Sequence, residues 1–187
     1  MRLFIAINFT PEIKTNLLKI IQQIKQNSVG GNFTLKDNLH VTIAFIGESN
    51  ALKDIQKAMN MAIEQPTVKP FTLSIEGLGK FNRREGDIYW AGIKNNPLLS
   101  QLNKAIVEEL RNSGFTIESK EYKPHLTLGR KVVLNDTFDI KEFEKTIPPM
   151  EMNVNRVSLM KSERIGGKLV YTEIYHCDLT LLGKSPT

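Results

Sequence analysis

Apolar residues recur along this chain in two rhythms that alternate. Leu3 to Asn8 is almost unbroken in its apolar character, as in a buried strand. Thr10-Pro11 then supplies a cap followed by proline at the first helical position, and Ile13, Leu17, Ile20, Ile21 and Ile24 line one face of a helix. Gly30-Gly31 is expected to stop that helix and open a loop. Leu39 to Ile46 reads as a second strand ended by Gly47. Leu52, Ile55, Met59 and Ala62 form the stripe of a second helix closed by Pro66.

The second half repeats the alternation without a fixed period. Phe71 to Ile75 alternates as a half-buried strand, and Asp87 to Ile93 returns after a Gly- and Arg-rich turn, which predicts a hairpin. Asn96-Pro97 opens a third helix with Leu99, Leu102, Ile106 and Leu110 inward and Gly114 at its end. A strand follows at His125 to Leu128, then a short helix within Phe138 to Ile147, broken by Pro148-Pro149. Val154 to Met160 is expected to pair with Leu169 to Leu179 across Gly166-Gly167. Short elements in mixed order predict an α+β fold with antiparallel sheets.

Length and composition place this pattern in one compact domain, or two small intimately packed lobes, over residues 1–187, large enough for a real core. The single Cys177 rules out an internal disulfide framework. The apolar N-terminal run is too short for a signal-peptide core, and no stretch is long enough to span a membrane, so a reduced, cytoplasmic setting is expected. The net charge is +5, and the cations bunch: Arg83 and Arg84; Lys120, Lys123, Arg130 and Lys131; Lys161, Arg164 and Lys168. Such clusters suit a polyanion, although a solvated basic surface would look the same.

Two of the three histidines sit in matching frames eighty-five positions apart, His40-Val41-Thr42-Ile43 and His125-Leu126-Thr127-Leu128. Side chains alternate across a strand, so each frame places a His and a Thr on one face and two apolar residues on the other. Two imidazoles suffice for one acid and one base near neutral pH. Hydrolysis of a cyclic phosphodiester needs that pair, because water is deprotonated on one side of phosphorus while the leaving oxygen is protonated on the other. The Thr42 and Thr127 hydroxyls suit the charge that builds on the non-bridging oxygens. A metal site is the sharpest competing use of two histidines, but neither frame carries a carboxylate or third imidazole at ligand spacing, so no metal or other cofactor is expected.

His40 to Gly47 and His125 to Arg130, with the flanking Leu3 to Ile7, Leu78-Gly79-Lys80-Phe81, Trp90 and Ser158 to Tyr171 segments, resemble the 2H phosphoesterases. The similarity is to the RNA 2′,3′-cyclic phosphodiesterase branch, also called 2′-5′ RNA ligase. It implies a bilobal fold of two intertwined, pseudo-symmetric lobes, each an antiparallel sheet flanked by helices, with one lobe holding both termini and the motif strands facing across a groove. It implies His40 as general acid toward O3′, leaving a 2′-phosphate, and His125 as general base. The substrate would be RNA ending in a 2′,3′-cyclic phosphate, tRNA fragments among the candidates, with no obligate protein partner. Reversal would join such an end to a 5′-hydroxyl without ATP.

Arg130 is the further phosphate ligand that the resemblance implies, yet strict alternation turns it away from His125 and Thr127 unless Gly129 permits a bulge. By the same parity Phe45 is expected to pack rather than stack. Trp90 is expected in the core, His176 and Cys177 as structural residues on opposite faces of a strand, and Lys161, Ser162, Arg164 and Tyr171 either along the groove or on a solvated hairpin. Two other functions fit the same residues: a related phosphodiesterase of small cyclic nucleotides or 2′-5′ oligoadenylates, and a noncatalytic RNA-binding module.

Overall fold

A computed structural model describes residues 1–180. The element order is β1 (Arg2–Asn8), α1 (Pro11–Gln26), β2 (Ser28–Phe33), a short 3₁₀ turn (Lys36–Asn38), β3 (His40–Glu48), α2 (Leu52–Ile63), β4 (Phe71–Phe81) and β5 (Asp87–Ile93). It continues with α3 (Pro97–Asn112), β6 (His125–Leu134), α4 (Ile140–Lys145), β7 (Met150–Val154), β8 (Arg156–Ile165) and β9 (Lys168–Asp178). The strands form two antiparallel sheets, ordered β3-β1-β8-β9 and β2-β6-β5-β4-β7. The α+β architecture expected from the sequence is therefore present, and the first sheet carries both the first strand and the last.

Each sheet buries one face and turns the other outward. In β1, Leu3, Ile5 and Ile7 enter the main core, each fully buried branched side chain being worth roughly 1.5–3 kcal/mol. Phe4 and Ala6 join Met160 in a separate small cluster on the opposite face, with Tyr171 against it. The main core is continuous between the sheets and takes in the inward faces of α1, α2 and α3. Thr10 caps α1 through Oγ1, which accepts from the Ile13 amide at 3.4 Å, and Asn96 caps α3 through Oδ1, which accepts from Leu98 and Leu99 at 2.9 and 3.4 Å. Among the described residues no helix is long and apolar enough to cross a membrane.

Three expectations need correction. Gly30-Gly31 lies inside edge strand β2, not a loop; almost all of β2 is exposed, so no alternation marks it. The segment after Pro149 is two strands: β7 completes the second sheet beside β4, and after Asn155 the chain crosses to the first sheet as β8. β4 itself runs on to Phe81, because beyond Ile75 its partner is β5 and no longer β7.

Candidate active site

β3 and β6, the strands carrying the two His-x-Thr frames, approach each other where the sheets meet. On β3 the register against β1 pairs Ala6 with Thr42 but Ile5 with Ala44, leaving Ile43 as an extra residue. On β6 the register against β5 pairs Trp90 with Thr127 but Tyr89 with Gly129, leaving Leu128 extra. Each strand thus has a bulge directly after its motif threonine. The carbonyls there are capped in parallel ways. Thr42 O accepts from the Tyr122 hydroxyl at 3.0 Å and Ile43 O from the Asn103 amide at 2.7 Å. Thr127 O accepts from the Thr34 hydroxyl at 2.8 Å and Leu128 O from the Thr34 backbone N–H at 2.9 Å. Burial drives the Tyr122 phenol far above its ordinary value, so it stays a neutral donor.

The histidines are aimed by one shared device. His40 Nδ1 donates to Asn38 O at 2.7 Å, and His125 Nδ1 donates to Lys123 O at 2.8 Å. A carbonyl only accepts, so each Nδ1 carries a hydrogen and each Nε2 is left for proton transfer. Asn38 is itself fixed, 8% exposed, its side chain bonded to Leu169 O and Tyr171 N of β9 at 2.8 and 3.2 Å.

The walls around the two rings differ. His40 lies against Phe4 and Tyr171, with ring centroids at 4.9 and 5.2 Å, and its Nε2 accepts from the Thr42 hydroxyl at 3.0 Å. Burial lowers its pKa below the ordinary imidazole value, partly opposed by the Asn38 carbonyl and reinforced by the Lys14 charge. His125 is more open, beside Phe81 and Trp90 at 5.5 and 6.4 Å.

The bulges also decide the side chains that parity alone misplaced. On β6, Leu128 and Gly129 both turn to the core, so Arg130 falls on the face of His125 and Thr127, exposed. Gly129 fits closely there: a Cβ would come within 2.8 Å of the Val132 side chain and 3.1 Å of the Phe33 ring, so a larger residue would push both aside. Arg130 and Arg2 are close enough to Tyr171 that their charges offset part of the rise that burial causes in its phenol. Phe45, three residues after Thr42, is the counterpart of Arg130. The β3 bulge pairs it with Phe4, so it is 48% exposed on the His40 face of the sheet beneath the Arg2 guanidinium, at 5.1 Å, rather than packed.

Trp90 is likewise not in the core. It occupies the side of β5 opposite the buried Tyr89 and Ala91, beside Thr127, and lies over Gly79 of β4, where a Cβ would overlap the ring. Cys177 is buried, its thiol bonded to Asn60 Oδ1 at 3.2 Å, but His176 faces the other way. It lies on the His40 side of the first sheet, 3.3 Å from Glu173, whose carboxylate also accepts from Ser158 at 2.5 Å and Asn8 at 3.4 Å. Ser162 pairs with Arg2 and Tyr171 on that same face, while Lys161 and Glu163, on either side of it in β8, form an ion pair on the opposite face. Asn38, Tyr122, Asn103 and Thr34 escaped the sequence reading because each acts through a backbone carbonyl, which leaves no side-chain pattern.

The model of the 2′-5′ RNA ligase superfamily matches residues 13–166. A Thermotoga maritima protein named RNA 2′,3′-cyclic phosphodiesterase is 28% identical over 178 residues, covering 95% of each chain. One of the same name from Methanocaldococcus jannaschii is 32% identical over 166 residues, covering 87% of this chain and 91% of its own. The crystal structure of E. coli LigT complexed with 3′-AMP superposes with a TM-score of 0.75 at 26% identity, over 96% of this chain and 98% of that one. With its paired frames, its two sheets and these relatives, the chain belongs to the 2′-5′ RNA ligase superfamily.

Proposed function

We propose that this protein hydrolyses the 2′,3′-cyclic phosphodiester at the end of an RNA strand to a 2′-phosphomonoester. The observation that carries the reading is the paired presentation of His40 and His125, each with Nδ1 tied to a carbonyl two residues upstream and Nε2 left for chemistry. The names of the Thermotoga and Methanocaldococcus relatives supply the substrate class.

His125 Nε2 takes a proton from the attacking water, and His40 Nε2 gives one to O3′ as the P–O3′ bond breaks. In the free protein His40 is biased toward its neutral form, and the phosphate anion, arriving where Nε2 now meets Thr42, favours recharging it. The acid is thereby armed by the substrate. The Thr42 and Thr127 hydroxyls and the Arg130 guanidinium bind the non-bridging oxygens, Arg130 as a charge-assisted donor. These residues carry both proton transfers without a metal, and among the described residues no three His, Cys, Asp or Glu side chains are grouped to hold one. With a 5′-hydroxyl in place of water, the same groups join a cyclic end to a second strand without ATP: His125 takes the hydroxyl proton, the new P–O5′ bond forms as P–O3′ breaks, and His40 protonates O3′. Arg2, Arg83 and Arg130 along the groove favour RNA over a small uncharged ligand.

The test is an RNA ending in a 2′,3′-cyclic phosphate, incubated in EDTA with the wild type, His40→Ala and His125→Ala. The wild type releases the 2′-phosphate, and each variant is slower by roughly 10²–10⁴-fold, the usual contribution of one acid or base. Wild-type rates in both variants, or loss of wild-type activity on chelation, overturn the reading.

A further inference from the structure

Arg130 reaches the His125 face only because the phase of β6 is shifted twice. Leu128 is the first extra residue, and the shift it causes turns Gly129 inward and Arg130 outward. Continued along the strand, that shift would carry Lys131 into the core and Val132 out of it. The structure has the reverse, with Lys131 exposed and Val132 only 2% exposed. Against β5, Tyr89 pairs with Gly129 and Asp87 with Val132; against β2, Asn32 pairs with Arg130 and Gly30 with Val133. Each partner spans in two steps what β6 spans in three, and the extra residue common to both is Lys131.

The second bulge carries a backbone cost. Among the described residues Lys131 is the only one other than glycine with a positive φ, +55°, in the left-handed region that lysine seldom adopts. The side chain does not explain it: Nζ pairs with Glu85 at 2.5 Å, both groups largely exposed, an arrangement worth little. The peptide, by contrast, is enclosed. Gly86, at the turn into β5, lies directly against it, and a Cβ there would come within 2.7 to 3.0 Å of Lys131 C, O and Cα. Strain of this kind persists only where the surrounding structure holds it, and it collects at functional sites. The residue beside it here is Arg130.

We infer that Lys131 is a positioning residue: its left-handed backbone closes the double bulge that presents Arg130 to the phosphate, and its side chain plays no part. This rests on Arg130 binding the non-bridging oxygens, as proposed above. With one bulge alone, either Arg130 would turn to the core or Val132 would leave it. Two bulges confine the shift to Gly129, Arg130 and Lys131, so the rest of β6 keeps its place in the sheet.

The test varies residue 131 by its tolerance of the left-handed region. It reads KM and kcat on an RNA with a 2′,3′-cyclic end, and the Kd of inorganic phosphate by calorimetry. Lys131→Gly, which keeps the conformation, is expected to stay within about threefold of wild type throughout. Lys131→Val, whose β-branched side chain excludes it, is expected to raise KM and the phosphate Kd about 10- to 100-fold with kcat within a few fold, matching Arg130→Ala. In the Arg130→Ala background it is expected to add less than about twofold. Gly86→Ala, which presses on the Lys131 peptide with residue 131 unchanged, is expected to act like Lys131→Val and carries the test where that variant does not fold. An unchanged KM in Lys131→Val, an equal loss in Lys131→Gly, or additivity with Arg130→Ala overturns the inference and leaves Arg130 in its role. Failure of both Lys131→Val and Gly86→Ala to fold also overturns it, because the bulge then serves the fold. If Arg130→Ala changes neither KM nor the phosphate Kd, the phosphate contact is overturned and the inference with it. If the phosphate Kd responds as expected while the wild type shows no turnover, the reaction fails and the positioning role stands.

Discussion

His40 and His125 are held by the same device on two different sheets, an Nδ1–H given to the carbonyl two residues upstream at 2.7 and 2.8 Å, and yet they meet different surroundings. His40 is enclosed by Phe4 and Tyr171, with Thr42 on its Nε2, and burial depresses its pKa. His125 stands in the open beside Phe81 and Trp90. After the bulge, the first frame presents Phe45 and the second Arg130. The repeated backbone fixes where an imidazole points, and the unrepeated walls set what each one does. In the reaction proposed above, duplicated geometry with divided surroundings gives two identical side chains opposite proton-transfer roles.

The threonines test the shared part of that comparison most strongly. Thr42→Val and Thr127→Val are each expected to lower kcat about 10²-fold, the loss of one fixed donor to a developing oxyanion. An effect confined to one of them would break the symmetry in steady-state assays. A smaller contrast separates the positions after the bulges. Arg130→Ala is expected to raise KM roughly 10- to 100-fold, as fits a charge-assisted hydrogen bond of about 1.5–3 kcal/mol. Phe45→Ala, at an exposed surface position, should change KM by about twofold at most. Equal effects at the two positions would mean that Arg130 does not reach the phosphate.

The smallest expected effect is on stability. Burial makes folded His40 a weaker proton acceptor than His40 in the unfolded chain, whose value is near 6.5. Its contribution is therefore complete above that pH and is lost as pH falls through the lower folded-state value. Urea melts at pH 7.5 and 5.5 should show a lower midpoint at pH 5.5, and His40→Gln should narrow the gap. An unchanged gap in the variant would remove His40 from its buried setting.

Much of this was legible in the chain because periodicity records burial. The helical stripes of α1, α2 and α3 and the one-faced His-x-Thr frames follow directly from spacing. What parity could not supply was the bulge. One extra residue on each motif strand returns Phe45 and Arg130 to the faces of the motif histidines, and only Gly129 hints at it. Trp90 lies outside the core because the bare backbone of Gly79 makes room for its ring, and Gly79 is on a neighbouring strand, out of reach of a local pattern. β2 and β7 were hidden for opposite reasons, one almost wholly exposed and the other joined in sequence to β8.

The pH dependence of kcat/KM on an RNA with a 2′,3′-cyclic end tests the division of labour most directly. One imidazole that must be protonated and another that must not be predict a bell between pH 5 and 8, with falling rates on both sides. A flat profile across that range would contradict paired imidazole catalysis.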